Sequence, residues 1–516
     1  MTSSSLSLFL CPLLLCYLVA GAYATIIPES NPLTINLQVA ADKDDPSCTK
    51  DSACKIGCCG PLDKETGKGV CGFGPDFCGK DCTSQCDRKS ECDAGWGMQW
   101  SDASTCPLNV CCSKFGFCGT TEDFCQGKKV ISPECTGDSA KAKTIGYWEG
   151  WNQEKKCDHM PAKDIPLGYY THINFAFAYI DPTTFRVAPM DTATASRYRQ
   201  VTALKARQPG LEVWIAIGGW AFNDPGNTAT TFSDLAASET HQNTFAESLI
   251  NFMVVNNFDG VDLDWEYPVA DQRGGKREDY ANYVTFLKGL RERLNASGRR
   301  FGISITLPAS YWYLRGFDIA NLEPHLDWFN IMTYDIHGLW DRNSTGGVGS
   351  YAFAHTNMTE INSGLELLWR NNINPGRVVL GLGFYGRSFT MKDSNCLTTG
   401  CPFSDGGRKG RCTDTEGILS GREINQIIKD GAKVTFDKEA AVKMVTWDKD
   451  QWVSWDDKET LKLKYDFANK RCLGGTMVWA VDLDDGTLIE ALGETMGKNR
   501  TKHFKESNPF FIQGIL

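Results

Sequence analysis

The segment Phe258-Asp-Gly-Val-Asp-Leu-Asp-Trp-Glu-Tyr-Pro268 places carboxylates at 259, 262, 264 and 266 among Val261, Leu263 and Trp265. Apolar residues at this spacing predict a buried strand, in which successive side chains alternate faces. Asp262, Asp264 and Glu266 then share one face at intervals of roughly 6–7 Å, and the apolar residues pack the other. Like charges held together in a semi-enclosed site raise at least one pKa, so one carboxyl stays protonated as a general acid beside an ionised neighbour. A calcium loop would need its turn glycine and further oxygen ligands at set offsets, and a solvated turn would not carry Val, Leu and Trp between the acids. The row therefore points to acid–base chemistry, and no metal or cofactor is expected.

The pattern Asp259-x-x-Asp262-x-Asp264-x-Glu266 resembles the signature of the glycoside hydrolase family 18 chitinases. That resemblance implies an α/β fold, a (β/α)8 TIM barrel, with catalytic groups at the C-terminal ends of the strands. Eight candidate strands follow in order, near Thr144 to Trp148, His172 to Ala178, Glu212 to Gly218, Gly260 to Trp265, Phe301 to Leu307, Trp328 to Thr333, Val378 to Phe384 and Gly475 to Ala480. The barrel is expected over residues 142–492, with a tail at 493–516. Between strands seven and eight, residues 388–455 far exceed an ordinary crossover loop. They match in position the small α+β insertion that walls the cleft in many members, and a walled cleft favours processive cutting.

The resemblance assigns roles that the side-chain chemistry supports. Glu266 would protonate the glycosidic oxygen and then activate water. No second carboxylate would act as nucleophile, because in this family the 2-acetamido oxygen of the substrate attacks the anomeric carbon. Asp264 would orient the acetamido N–H, Asp262 would share a proton with it, and Asp259 would sit deepest as a supporting charge. In Met332-Thr-Tyr-Asp335, Tyr334 would donate to the acetamido oxygen while Met332 and Asp335 line the substrate; Trp479 would form the floor at the cleavage point. Tyr147 is expected to support the acid network, and both it and Tyr267 to contact substrate. Trp220, with Trp148 and Trp151, either stacks sugars at outer subsites or packs the rim, and Arg387 either contacts substrate or forms an internal ion pair. Ala216 stands where the family often has serine, so a hydroxyl that would support the inner aspartates is missing.

The cysteines divide the chain. Fifteen lie between Cys48 and Cys135, and only five beyond, so the N-terminal part is expected as small disulfide-rich modules. Two cycles each carry an adjacent pair, Cys58-Cys59 and Cys111-Cys112. The second cycle, within residues 89–136, resembles hevein-like chitin-binding modules. Its disulfide candidates are Cys92, Cys106, Cys111, Cys112, Cys118 and Cys125, whose pairing is not legible from sequence. Carried over residue by residue, Ser113 would bond an acetamido carbonyl, and Phe115, Phe117 and Phe124 would form a platform for sugar rings. The first cycle, residues 47–88, is degenerate, with Gly60 in place of the serine; it is either a structural cap or a second sugar binder.

Residues 6–24 read as the apolar core of a secretory signal, giving a signal peptide at 1–24 and a leader or linker at 25–46. Without the signal, twenty cysteines remain, an even number suited to an oxidising compartment. Asn295, Asn343, Asn357 and Asn499 open glycosylation sequons. A formal charge of -10 argues against nucleic acid and anionic membranes as partners. The expected partners are chitin and chitooligosaccharides, met by a secreted, extracellular or wall-bound monomer. The module order resembles fungal chitinases of the killer-toxin-like group. A secreted chitinase leads; a chitin-binding lectin on an inactive barrel and a hydrolase of the chitobiose core of N-glycans compete with it.

Overall fold

A computed structural model describes residues 46–343 and 348–501. The signal peptide, nearly all of the leader, the Asn343 sequon and the end of the tail lie outside the described residues.

Eight parallel strands close on themselves: Thr144–Glu149, His172–Ile180, Glu212–Gly218, Gly260–Asp264, Gly302–Pro308, Trp328–Met332, Val378–Gly383 and Gly475–Trp479. Each pairs with its sequence neighbours, and the eighth pairs with the first. The apolar face of the fourth strand, Val261 and Leu263, is fully buried under the surrounding helices, which drives closure. Polar residues face the interior. Below them, Trp214 and Trp328 fill the floor at a ring separation of 4.3 Å. Gly302 leaves room for Trp214, whose ring would lie 2.0 Å from a Cβ there.

The expected insertion is present as a six-stranded antiparallel sheet with one helix, Gly421–Lys429. Its strands begin at Tyr385, immediately after the seventh barrel strand, and end at Trp455. Cys157–Cys412 ties it to the loop after the first strand.

All twenty cysteines of the described residues are paired. Both cycles use the same connectivity, first to fourth, second to fifth and third to sixth: Cys48–Cys59, Cys54–Cys71 and Cys58–Cys78, then Cys92–Cys112, Cys106–Cys118 and Cys111–Cys125. The common pairing makes the two cycles copies of one scaffold. Cys135–Cys472 anchors the second cycle to the barrel, where Asn109 also donates to Asn371 at 2.9 Å. No helix among the described residues is long and apolar enough to cross a membrane.

Candidate active site

Strand register gathers the acids at the C-terminal mouth of the barrel. Asp262 is fully buried and both its oxygens are engaged: Tyr147 donates to one at 2.6 Å, and Ser304 and Asn330 donate to the other at 2.6 and 2.9 Å. Asp264 accepts from Thr306. Each carboxyl thus has its own donors from other strands. Burial pushes the Asp262 carboxyl up against the three hydrogen bonds that hold its charge. Asp264 is pushed well above the usual carboxylate range, first by burial and then by the charges of Glu266 and Asp262.

Glu266 follows the strand end. Burial raises it to about 7, opposed by a hydrogen bond from Tyr267 and by the charge of Arg273, while Asp335 and Asp224 push it further up. A carboxyl at that value carries a proton near neutrality and releases it at small cost, as a general acid–base must. Gly218 and Gly219 allow the third strand to approach: both have positive φ, and a Cβ on Gly218 would lie 2.3 Å from the Asp264 carbonyl.

Tyr334 is buried beside this row, its hydroxyl 3.7 Å from the Met477 sulfur and its pKa pushed far up by burial and by Asp264. It stays a neutral donor. Met332, half-buried, ends the sixth strand below it. Asp335 is gripped by Arg387, whose Nε and Nη2 donate at 2.7 and 2.6 Å, and by the Tyr385 hydroxyl at 2.5 Å. Burial opposes ionisation there, but Arg387 outweighs it and holds the carboxyl well below the usual range. The internal ion pair expected as one reading of Arg387 is thus present. Trp479 lies half-buried within an aromatic nest, its ring 5.5 Å from Tyr147, 5.8 Å from Phe177 and 6.3 Å from Trp151. Trp220 is 52% exposed at the rim.

Four expectations are corrected. Asp259 is not in the site: it sits at the N-terminal end of the barrel, paired with Lys205 at 2.9 Å and Arg299 at 3.5 Å and accepting from the Val213 N–H. Its odd position on a strand whose even residues face inward already placed it on the other face. Trp148 is fully buried and donates to the Met160 carbonyl, so it stacks no sugar. Phe124 is only 2% exposed, its ring packed on Gly119, and belongs to the core of its module rather than to a platform. The hydroxyl thought missing at Ala216 is supplied from the other flank: Ala216 and Ser304 are both in register with Asp262.

In the second cysteine cycle Phe115 is 58% exposed, and Phe117 is half-buried with its ring edge-on to Phe73 at 5.5 Å. Ser113 is buried, and its oxygen accepts from the Phe117 N–H, which leaves the hydroxyl proton as its one donor.

Several site residues were not singled out in the sequence. Ser304, Thr306 and Asn330 sit at alternating positions in register with the acids, a signal that pairing the predicted strands would have exposed. Arg273 had no such signal. It is buried in the loop after the fourth strand, donates to the Glu266 carbonyl at 2.9 Å and to Asp224 at 2.7 Å, bonds the Trp220 carbonyl, and stacks on the Trp220 ring at 3.7 Å. His337 is likewise buried, bridging Asp341 and Glu360 at 2.9 Å each. Burial lowers its pKa but the two carboxylates outweigh it, to about 9, so an imidazolium anchors the loop that carries Trp340.

The barrel mouth thus gathers buried carboxyls of raised pKa between aromatic walls, and the chain belongs to glycosyl hydrolase family 18. The family model described as "Glycosyl hydrolases family 18" matches residues 143–484, and that described as "Chitin recognition protein" matches residues 96–135. A secreted chitinase of Penicillium expansum, LysM12, is 31% identical over 420 residues, 74% of this chain and 27% of that protein. The killer toxin subunits alpha/beta of Kluyveromyces lactis are 35% identical over 401 residues, 73% of this chain and 33% of that protein. The chain therefore spans a third or less of the length of these two relatives. Catalytic domain 2 of the Group II chitinase of Ostrinia furnacalis superposes with a TM-score of 0.62 at 28% identity, covering 70% of this chain and 98% of that one.

Proposed function

We propose that the protein is an extracellular chitinase that hydrolyses β-1,4 bonds between N-acetylglucosamine units with retention of configuration and with assistance from the substrate. The observation that carries this reading is Glu266, raised to about 7, beside a buried Asp264 and the neutral hydroxyl of Tyr334. Glu266 gives its proton to the glycosidic oxygen as the acetamido oxygen bonds to the anomeric carbon, which forms an oxazolinium ion and releases the leaving sugar. Asp264 holds the acetamido N–H and balances the positive charge, and Tyr334 donates to the acetamido oxygen. Glu266 then takes a proton from water, which opens the ring from the same face.

Residues 47–88 and 89–136 are read as tandem modules of which the second binds chitin, and residues 142–492 as the catalytic unit acting as a monomer. Export agrees with ten disulfides, which persist in oxidising compartments.

Two inversions at one carbon leave the β-anomer as first product. Proton NMR within minutes of cleaving chitin oligomers tests this. An initial α-product rules the mechanism out, and chitin binding with no cleavage at all turns the barrel into a lectin.

A further inference from the structure

Among the described residues, three tryptophans are exposed, all in loops that follow barrel strands, and each has an arginine laid on its ring. Trp220 is 52% exposed with Arg273 at 3.7 Å, Trp312 is 54% exposed with Arg315 at 4.1 Å, and Trp340 is 45% exposed with Arg387 at 4.8 Å. A guanidinium on one ring face fixes the orientation of the ring before anything binds and leaves the other face to solvent. Such a face suits the C–H side of a pyranose. Trp220 and Trp340 are tied to the site above through Arg273 and Arg387. Trp312 is not.

Trp312 sits on the short turn Tyr311–Leu314 after the fifth strand, and its two neighbours point to different parts of the molecule. Tyr313 stacks on Tyr267 at 4.2 Å, and Tyr267 bonds the catalytic carboxyl of Glu266. Tyr311 is buried, bonded to Arg315 and within electrostatic reach of Glu91. Glu91 belongs to the second cysteine cycle, where its carboxylate accepts from the Cys118 N–H at 2.9 Å. The turn therefore lies between the acid and the chitin-recognition module, and Trp312 is its exposed ring.

We infer that Trp312 is an outer sugar-stacking subsite, taking an N-acetylglucosamine unit of a β-1,4-linked chain that runs from the cleft toward the module. This rests on the chitinase reading. A chain too short to bridge from the cleavage point to the turn gains nothing from the ring, so the contribution of Trp312 grows with oligomer length.

Titration calorimetry on the full chain carrying Glu266→Gln, which holds sugars without cutting them, tests the subsite with chitotriose and chitohexaose. Adding Trp312→Ala is expected to reduce the ratio of hexaose to triose affinity roughly three- to tenfold, the range of one aromatic contact, and Trp312→Phe is expected to recover most of it. An unmoved ratio, whether both affinities hold or both fall alike, overturns the subsite and leaves the chitinase reading standing. A Glu266→Gln chain that binds neither oligosaccharide overturns both.

Discussion

Ser304 donates its hydroxyl to Asp262 at 2.6 Å from the in-register position on the neighbouring strand, opposite the side on which Ala216 offers none. The bond stabilises the ionised form of a fully buried carboxyl, and its loss raises that pKa. Ser304→Ala is therefore expected to move the acid-side limb of the pH profile of kcat/KM to higher pH, and to cost about tenfold in rate on the acid side, in keeping with one hydrogen bond to a charge. Ser304→Thr should restore the profile. A limb that stays in place in Ser304→Ala would show that Asp262 does not need this donor.

Glu266→Gln keeps the shape of the acid and removes the proton it gives. Hydrolysis of soluble chitin oligomers is expected to fall by roughly 10²–10⁴, with binding to chitin particles retained. Measured initial rates within a few-fold of the parent enzyme exclude Glu266 as the acid.

The Arg273 charge lowers the Glu266 pKa against the dominant effect of burial. Glu266 must be protonated to act, so the alkaline limb of activity is set near its value of about 7. Arg273→Gln removes the opposing charge, keeps the acid protonated to higher pH and moves this limb upward. It also frees the Trp220 ring, which raises KM more for long oligomers than for short ones. A variant with lower activity but an unshifted limb reduces Arg273 to packing.

His337 is held as an imidazolium between Asp341 and Glu360 with a pKa near 9, above its ordinary value of about 6.5. A raised pKa contributes stability in full below about 6.5 and loses it as pH rises through 9. The shift corresponds to about 3 kcal/mol at most. Thermal denaturation should show His337→Gln strongly destabilised at pH 6 and much closer to the parent at pH 9.5. Equal losses at both values would mean that charge plays no part.

Phe115 and Phe124 separate binding from folding in the second module. Phe115 is 58% exposed and Phe124 is 2% exposed. Phe115→Ala should weaken pull-down by chitin particles several-fold while soluble-oligomer turnover persists, since only attachment to the polymer is lost. Phe124→Ala should instead open the module, seen as faster proteolysis between 89 and 136, because a core phenylalanine is worth about 3–5 kcal/mol. A resistant Phe124→Ala variant that no longer binds particles returns Phe124 to the platform.

The amino-acid sequence by itself determined the barrel and its acid row. Strand positions are encoded by local alternation, so Asp262, Asp264 and Glu266 had to share a face, and the eight strands lie within a few residues of their expected places. The same alternation, applied strictly, also puts Asp259 outside the site. Cysteine number determined that the N-terminal part is stapled, because small modules lack a core of their own. What only the tertiary structure decided depends on residues distant in the chain. Cysteine pairing is one case, since six cysteines allow 15 connectivities and sequence does not choose among them. Donors to Asp262 come from Tyr147, Ser304 and Asn330 on three other strands; Ser304 follows from pairing with the neighbouring strand, but Tyr147, three strands away, comes within hydrogen-bond distance only across the closed barrel. Whether an aromatic ring is core or platform is likewise a matter of what packs on it: Gly119 receives Phe124, whereas Phe115, two residues after Ser113, is left to solvent. Arg273 was silent in the sequence for the same reason, as a lone arginine in a loop acquires its role only when the fold lays it between Trp220 and the main chain of Glu266.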